Sequence, residues 1–374
     1  MSKEKFKFFF DLGSSKIRTA AIDFEEISNN LYFESSFIPD EKHYENEIHN
    51  SILNIEKKTG EFLKTTDVML DDKKTFSVSI GMKKKHENKI ISNDELKFMV
   101  NELKKEVSKN YLEYDILHII IKNLMIDDKE YYNLPDFEIN HLKIELLFIF
   151  IPKSKKKLIK EIFKKKNVLI RNFFCSSYLK SLHYIKNLKN LNFTIFIDMG
   201  FNKTSIIVYK NSRIKSFDII EAGGNNISKD LAKILKIKVL DAEKIKCLFD
   251  DNFRFIKSNN LDLELIKNII FSRVEELLEI SFEIVDKKFR ISKINNDLTK
   301  FILLGEGSKV LDNVFKDKIL FNKEIHLMEE TYIDICNSIV DYTSSNSEIQ
   351  EVKMINPKNE KLGFFERFFH LFSR

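Results

Sequence analysis

The residues best suited to chemistry in this chain sit in turns that follow apolar runs. Asp11, Gly13, Ser14, Ser15 and Lys16 belong to FFFDLGSSKIRTAAI, which reads as a strand, a tight turn and a second strand. Such a hairpin supplies what a phosphate needs: a carboxylate for hydrated Mg²⁺, a turn open to backbone approach, hydroxyl and N–H donors, and a cation. The same pattern returns in TIFIDMGFNKTSIIVY at 194–209, where Asp198 and Gly200 open the turn and Lys203 closes it. Asp11 and Asp198 are the candidate Mg²⁺ residues, acting through water. In IIEAGGNNISKDLAKIL, Gly223 and Gly224 lead into a helix with Asn225 or Asn226 as its N-cap. A helix start offers unpaired N–H groups and positive dipole to a phosphate. In FILLGEGSKV a further turn, Gly305 to Ser308, follows a strand and would lie against the base and ribose of a nucleotide. Taken singly, the first turn also reads as an ordinary hairpin, and the glycine pair as a helix entry without a ligand.

Composition supports reading these turns together. The chain has nine glycines in 374 residues, far below the usual ~7%. Six of the nine, at 13, 200, 223, 224, 305 and 307, fall in these turns. A glycine-poor chain keeps glycine where a side chain fails sterically. The length accommodates two domains, each with a core. A hydrophobic content of 43% suits a globular chain, not a disordered one. The 62 basic and 57 acidic residues leave a formal charge of only +5, which argues against a dedicated nucleic-acid binder. Cys175, Cys247 and Cys336 are scattered without CxxC spacing, as expected of free thiols in a reducing compartment. No HExxH pair or Cys–His spacing indicates a metal site. The longest apolar run, Ile144 to Ile151, falls well short of the ~18 residues of a spanning helix.

These turns need strands and helices to position them. Helical periodicity appears over Glu45–Leu63, and Thr75–Ile80 reads as a strand. SNDELKFMVNELKKEV is a helix capped by Ser92 or Asn93, followed by strands at Asp115–Ile121, around Leu124–Ile126 and at Leu142–Ile151. The helix Ser154–Lys166 carries a lysine-rich face, and a strand and helix span Val168–Ile185. Such a face is usually just solvated, although anionic lipid or an acidic partner would also suit it. Residues 232–297 read as mostly helical, and Thr331–Val340 as the last helix of the globular part. The polar stretch 341–360 reads as a flexible linker. In the final LGFFERFFHLFSR, Leu362, Phe364, Phe365, Phe368, Phe369, Leu371 and Phe372 share one half of a helical wheel, while Arg367 and Arg374 lie on the other. That pattern, after a linker, fits a helix lying in the membrane interface better than one docking on a core.

The order DLGSSK, DMG, EAGGNNISKD and LLGEGS resembles the actin, Hsp70 and sugar-kinase superfamily. Within it the chain resembles FtsA, the actin-like family of bacterial division. The resemblance rests further on YDILHIIIKNLMIDD with LKIELLFIFIP, on GGNNISKDLAKIL with DAEKIK, and on the amphipathic terminus after a linker. The DMG opening and TSIIVY look most like alphaproteobacterial versions.

The resemblance implies an α/β fold: an actin-like (ribonuclease H-like) two-lobed ATPase fold with an FtsA-type inserted subdomain. One actin-like subdomain would comprise 1–75 and 165–192, with the insertion at 76–164. The other would comprise 193–232 and 298–340, with a helical subdomain at 233–297. ATP and Mg²⁺ are the implied cofactors. Glu243 and Lys246 match positions that approach the nucleoside in relatives, and Arg273 matches an arginine near it. The match is uneven, because Phe201, Asn202 and Lys203 stand where the family has Gly-Gly-Thr, and Glu306 stands where a second glycine is expected. A weak or lost ATPase is therefore one expectation. The implied partners are the C-terminal peptide of FtsZ at the helical subdomain, further copies of the chain in filaments, later division proteins and an anionic membrane surface. The implied place is the cytoplasmic face of the bacterial inner membrane at the division site. The alternatives are an active ATPase or kinase of the superfamily and a PilM-like pilus assembly protein.

Overall fold

The computed structural model describes residues 5–131, 133–188, 191–247, 262–294, 299–311 and 325–344. Its frame is two five-stranded sheets built to the same plan. In the first, β1 (Phe6–Leu12) and β2 (Ile17–Asp23) form a hairpin, with Leu12 opposite Ile17 across the first turn. Strand β3 (Leu31–Glu34) adds antiparallel to β2, while β4 (Thr65–Leu70) and later β9 (Leu169–Cys175) add parallel on the other side. Six of the seven residues of β1 are buried. The strand is covered on both faces, which explains its nearly unbroken apolar run.

The second sheet repeats this order. Strands β10 (Phe193–Met199) and β11 (Thr204–Lys210) form the hairpin, and β12 (Arg213–Ile220) extends it antiparallel. Strands β13 (Thr299–Leu304) and β14 (Ile325–Leu327) add parallel. Helix α1 (Glu41–Thr59) joins β3 to β4, starts on Asp40, whose carboxylate accepts from Lys42 and His43 N–H, and ends at Gly60 with φ 71°. That left-handed φ is one that glycine adopts without strain.

A third, antiparallel sheet of four strands contains β5 (Phe76–Lys89), β6 (Tyr114–Ile126), β7 (Lys129–Glu130) and β8 (Ile139–Pro152), in the order β5-β8-β6-β7. Helix α2 (Asn93–Asn110) begins with a capping box between Ser92 and Glu95 and buries Met99, Val100, Leu103 and Val107 against this sheet. Helices α3 (Lys153–Lys164) and α4 (Ser176–Ile185) flank β9. Helices α5 (Gly224–Leu235), α6 (Val239–Cys247) and α7 (Leu263–Phe289) pack on the second sheet, and α8 (Tyr332–Ser344) closes the described part. One core cluster joins both five-stranded sheets, because Tyr178 and Leu179 of α4 and Ile335 and Ile339 of α8 pack together with Phe196, Ile207 and Phe217.

The structure departs from the sequence reading at five elements. The strand expected at Thr75–Ile80 runs on to Lys89, and the two strands expected before 127 are one. Strands β4 and β12 carry no signal that the reading used. Helix α8 continues to Ser344, so the linker expected from 341 begins with a helical turn. The remaining linker and the expected terminal helix lie outside the described residues, including Leu362, Phe364, Phe365, Arg367, Phe368, Phe369, Leu371, Phe372 and Arg374. Among the described residues no helix is long and apolar enough to cross a membrane.

Candidate nucleotide cleft

Parallel strands carry their carboxyl ends to one edge of each sheet, and the turns after β1, β10 and β13 meet there with the start of α4. In the first turn, the Asp11 carboxylate accepts from Arg18 Nη1 at 3.0 Å and from Ser176 Oγ at 2.7 Å. Arg18 also donates to Glu34 at 2.9 Å and to Glu306 at 3.0 Å. Lys16 donates to the same two carboxylates, at 3.0 and 2.9 Å. Glu306 follows β13, so its carboxylate ties the second lobe to the first turn. Burial disfavours the Arg18 charge, but Asp11, Glu306 and Glu34 outweigh it and hold the guanidinium firmly protonated. Burial likewise pushes the Glu306 carboxyl up, yet Arg18 and Lys16 bring it below its ordinary range. Gly13 has no room for a side chain, since a Cβ there would lie 2.7 Å from the Lys16 carbonyl oxygen. Ser14 is exposed, and the Ser15 carbonyl accepts from Ile38 N–H.

The second turn is equally engaged. Asp198 accepts from buried Lys180 of α4 at 2.6 Å, and Lys180 reaches Glu330 at 3.3 Å. Burial opposes the Lys180 charge, and the Asp198 and Glu330 carboxylates restore it beyond the ordinary lysine range. Lys203 is buried between the end of β4 and the start of α4. Its ammonium lies 2.9 Å from Asp71 Oδ2 and 2.9 Å from Ser177 Oγ, and it also meets Ser205 Oγ. Burial pushes the Asp71 carboxyl up, but Lys203 and hydrogen bonds from Ser177 and Cys175 outweigh it and hold it below the usual range. Phe201 packs edge-on against Phe37 of the first lobe, with ring centres 5.5 Å apart.

The start of α5 is occupied by the second turn itself. Gly224 N–H donates to Gly200 O at 3.0 Å, Asn225 N–H to Phe201 O at 2.7 Å, and Asn226 N–H to Gly223 O at 2.9 Å. Gly223 N–H donates to Asn226 Oδ1 at 3.1 Å. The donors that a helix start normally presents to an anion are therefore spent on backbone and cap. Glu243 and Lys246 pair with each other at 2.6 Å, and Lys246 also donates to Gly224 O and Ser228 Oγ. Arg273 is bound by Asp230. Gly305, at φ +84°, donates its N–H to Glu330 at 3.2 Å, and Ser308 Oγ donates to Gly305 O at 2.6 Å.

The structure thus gathers Asp11, Lys16, Asp198, Lys203, Gly223, Gly224, Gly305 and Ser308 around one cleft, with Glu243 and Lys246 of α6 against the start of α5. It also adds residues that sequence reasoning missed: Arg18, Glu34, Asp71, Ser176, Ser177, Lys180 and Glu330. The signal available for Lys180 was a lysine on the apolar face of a short helix. Mg²⁺ with a triphosphate needs free carboxylates, N–H donors and cations, and here Asp11, Asp198, Lys16, Lys203 and the first N–H groups of α5 already have partners within the chain. In this arrangement the residues do not fit that ligand. Among the described residues no group of three or more His, Cys, Asp or Glu is arranged to hold a metal ion.

Two duplicated sheets facing across such a cleft define the actin-like ATPase fold. The solved PilM-PilN type IV pilus biogenesis complex contains a chain of this shape, with a TM-score of 0.59 at 11% identity over 86% of this chain and 88% of that one. Within this class, part of the chain is similar to the FtsA proteins of bacterial cell division. A family model described as cell division protein FtsA matches residues 195–269, from β10 into α7. The chain is 25% identical over 191 residues to cell division protein FtsA of Bacillus subtilis, covering 45% of this chain and 42% of the relative. It is 23% identical over 190 residues to that of Enterococcus faecalis, with the same coverage of 45% and 42%. The matched part spans less than half the length of these curated relatives.

Proposed function

We propose that this chain is an actin-like cytoskeletal adaptor that tethers FtsZ filaments to the cytoplasmic face of the membrane at the division site and helps assemble the septal ring. The FtsA match supports the division role. The observation that carries tethering over turnover is the cleft, whose charged groups and helix-entry donors bind one another. The positions matched to the family's nucleotide site are Asp11, Gly13, Ser14, Ser15, Lys16, Asp198, Gly200, Lys203, Gly223, Gly224, Asn225, Glu243, Lys246, Gly305 and Ser308. In this reading they hold the two lobes together, and ATP with Mg²⁺ is bound weakly or not at all.

The proposed division of labour follows the domain boundaries set out above. The helical subdomain at 233–297 takes the C-terminal peptide of FtsZ. The inserted subdomain at 76–164 meets neighbouring protomers or later division proteins. The terminal helix folds on the bilayer, inserting its phenylalanines, with Lys361, Arg367 and Arg374 toward anionic headgroups. A single helix of about 13 residues is a marginal anchor, so filaments gain avidity by presenting many at once. Truncation after Glu360 tests this: vesicle pelleting should be largely lost with the circular dichroism spectrum kept, and full pelleting would overturn the terminal anchor. A second reading, a PilM-like pilus assembly protein, is favoured by the shape match. It predicts affinity for a pilus partner's peptide and no dependence on the terminal segment.

A further inference from the structure

The edge of the first sheet opposite the cleft has a chemistry of its own. Because β1, β4 and β9 run parallel toward the cleft, their first residues gather at the far edge, together with the end of β2. Three connections lie there: residues 24–30 after β2, 60–64 after α1, and 165–168 after α3. The last two run side by side, since Leu169 N–H donates to Lys64 O at 2.9 Å. Their apolar side chains stand out into solvent: Phe62 is 84% exposed, Ile27 81%, Leu169 65% and Phe24 47%.

Lysines surround these side chains. Lys57, Lys58, Lys64, Lys164 and Lys166 are exposed, and none pairs with an acidic side chain among the described residues. Lys7 lies over the Phe24 ring at 4.5 Å. The three connections themselves balance, with Lys64, Lys165 and Lys166 against Glu25, Glu26 and Glu61, and the positive excess at this edge comes from Lys7 and the helix-end lysines Lys57, Lys58 and Lys164 against Glu56 and Glu161. A protein partner of ordinary affinity wants a contiguous apolar centre within a polar rim. Here single apolar side chains sit on separate connections with lysines between them. That arrangement suits insertion among anionic headgroups, where each lysine near the surface strengthens partitioning about fivefold and the apolar side chains enter the acyl boundary.

We propose that this edge is a second membrane contact, specific for anionic lipid and built into the folded first lobe. The proposal rests on the membrane-tethering reading above, and it adds an orientation: the first sheet's far edge faces the bilayer and the cleft faces away from it.

The test uses the full-length chain in flotation with vesicles of phosphatidylglycerol and phosphatidylcholine, or of phosphatidylcholine alone. With the terminal helix impaired by F365E and F369E, weak, salt-sensitive binding to the anionic vesicles should remain. Adding F62S with L169S, or K64E with K166E, should lower it about tenfold or more, with the circular dichroism spectrum unchanged because these side chains are exposed. Binding unchanged within about twofold by either pair would overturn the proposal. So would complete loss of binding in F365E/F369E alone, which would leave the terminal anchor standing. Equal flotation of the native chain and F365E/F369E, abolished by the F62S/L169S pair, would uphold this edge while removing the terminal anchor. An effect of the same pairs on self-association alone, seen by sedimentation velocity, would assign the edge to contacts between copies and overturn the lipid assignment.

Discussion

Lys203 is the side chain through which the second turn grips the first lobe, so Lys203→Thr, which restores the residue expected there from the family, is a sharp perturbation. The change leaves the largely enclosed Asp71 without its cation. Removing one partner of a buried ion pair typically costs about 3–5 kcal/mol. Asp71 keeps the N–H groups of Ser176 and Ser177, each at 3.1 Å, and the Ser177 hydroxyl at 2.6 Å. Those bonds satisfy much of its charge and reduce the expected cost to about 2–3 kcal/mol. The pH dependence has a defined sign. A carboxyl held below its ordinary range stabilises the fold above its unfolded pKa of about 3.9 and loses that contribution as pH falls through its folded value. Without Lys203 the folded value rises, so acid unfolding should begin at higher pH. The chain has no tryptophan, which makes urea unfolding followed by circular dichroism the appropriate assay, at pH 7 and below pH 5. A loss under about 0.5 kcal/mol with an unmoved acid limb would refute the role assigned to this pair.

Three further outcomes follow from the same contacts. Gly223→Ala places a Cβ 2.4 Å from Gly200 O and 2.9 Å from both Lys203 N and Phe201 O; these are backbone atoms with little freedom to yield, and a cost of about 2–4 kcal/mol should appear in urea unfolding. Burial and the Asp198 charge push the Glu330 carboxyl above its ordinary range against the pull of Lys180. Its contribution is full below the unfolded pKa and is lost as pH rises through the folded one, so Glu330→Gln should be less damaging at pH 8 than at pH 5 in paired unfolding curves. Isothermal titration of the native chain with Mg²⁺ and ATP should show affinity weaker than millimolar, and a micromolar Kd would mean that the cleft's ion pairs give way readily.

The duplicated frame was legible because its strands are buried on both faces and end in turns where glycine is scarce elsewhere. Asp198 and Gly200 located the second hairpin, and Gly223 with Gly224 located the start of α5. Strand β12 was not legible, since RIKSFDII mixes charge into a partly buried strand whose place is set by pairing with β11. The partners of the cleft residues were less legible still. Glu306 stood out as a missing glycine, but that its carboxylate reaches Lys16 and Arg18 depends on two sheets meeting across almost the whole chain. Lys203 invited a reading as a phosphate cation, and only the fold brings Asp71 and Ser177 close enough to claim it.

The central claim, tethering without turnover by this chain, is tested most directly by recruitment. FtsZ polymerised with GTP is mixed with the full-length chain and phosphatidylglycerol-containing vesicles, without ATP, and the FtsZ floating with lipid is measured. The account predicts recruitment that depends on this chain, is lost when the C-terminal peptide of FtsZ is removed, and does not change when ATP is added. Recruitment that requires ATP, or none under either condition, would contradict it.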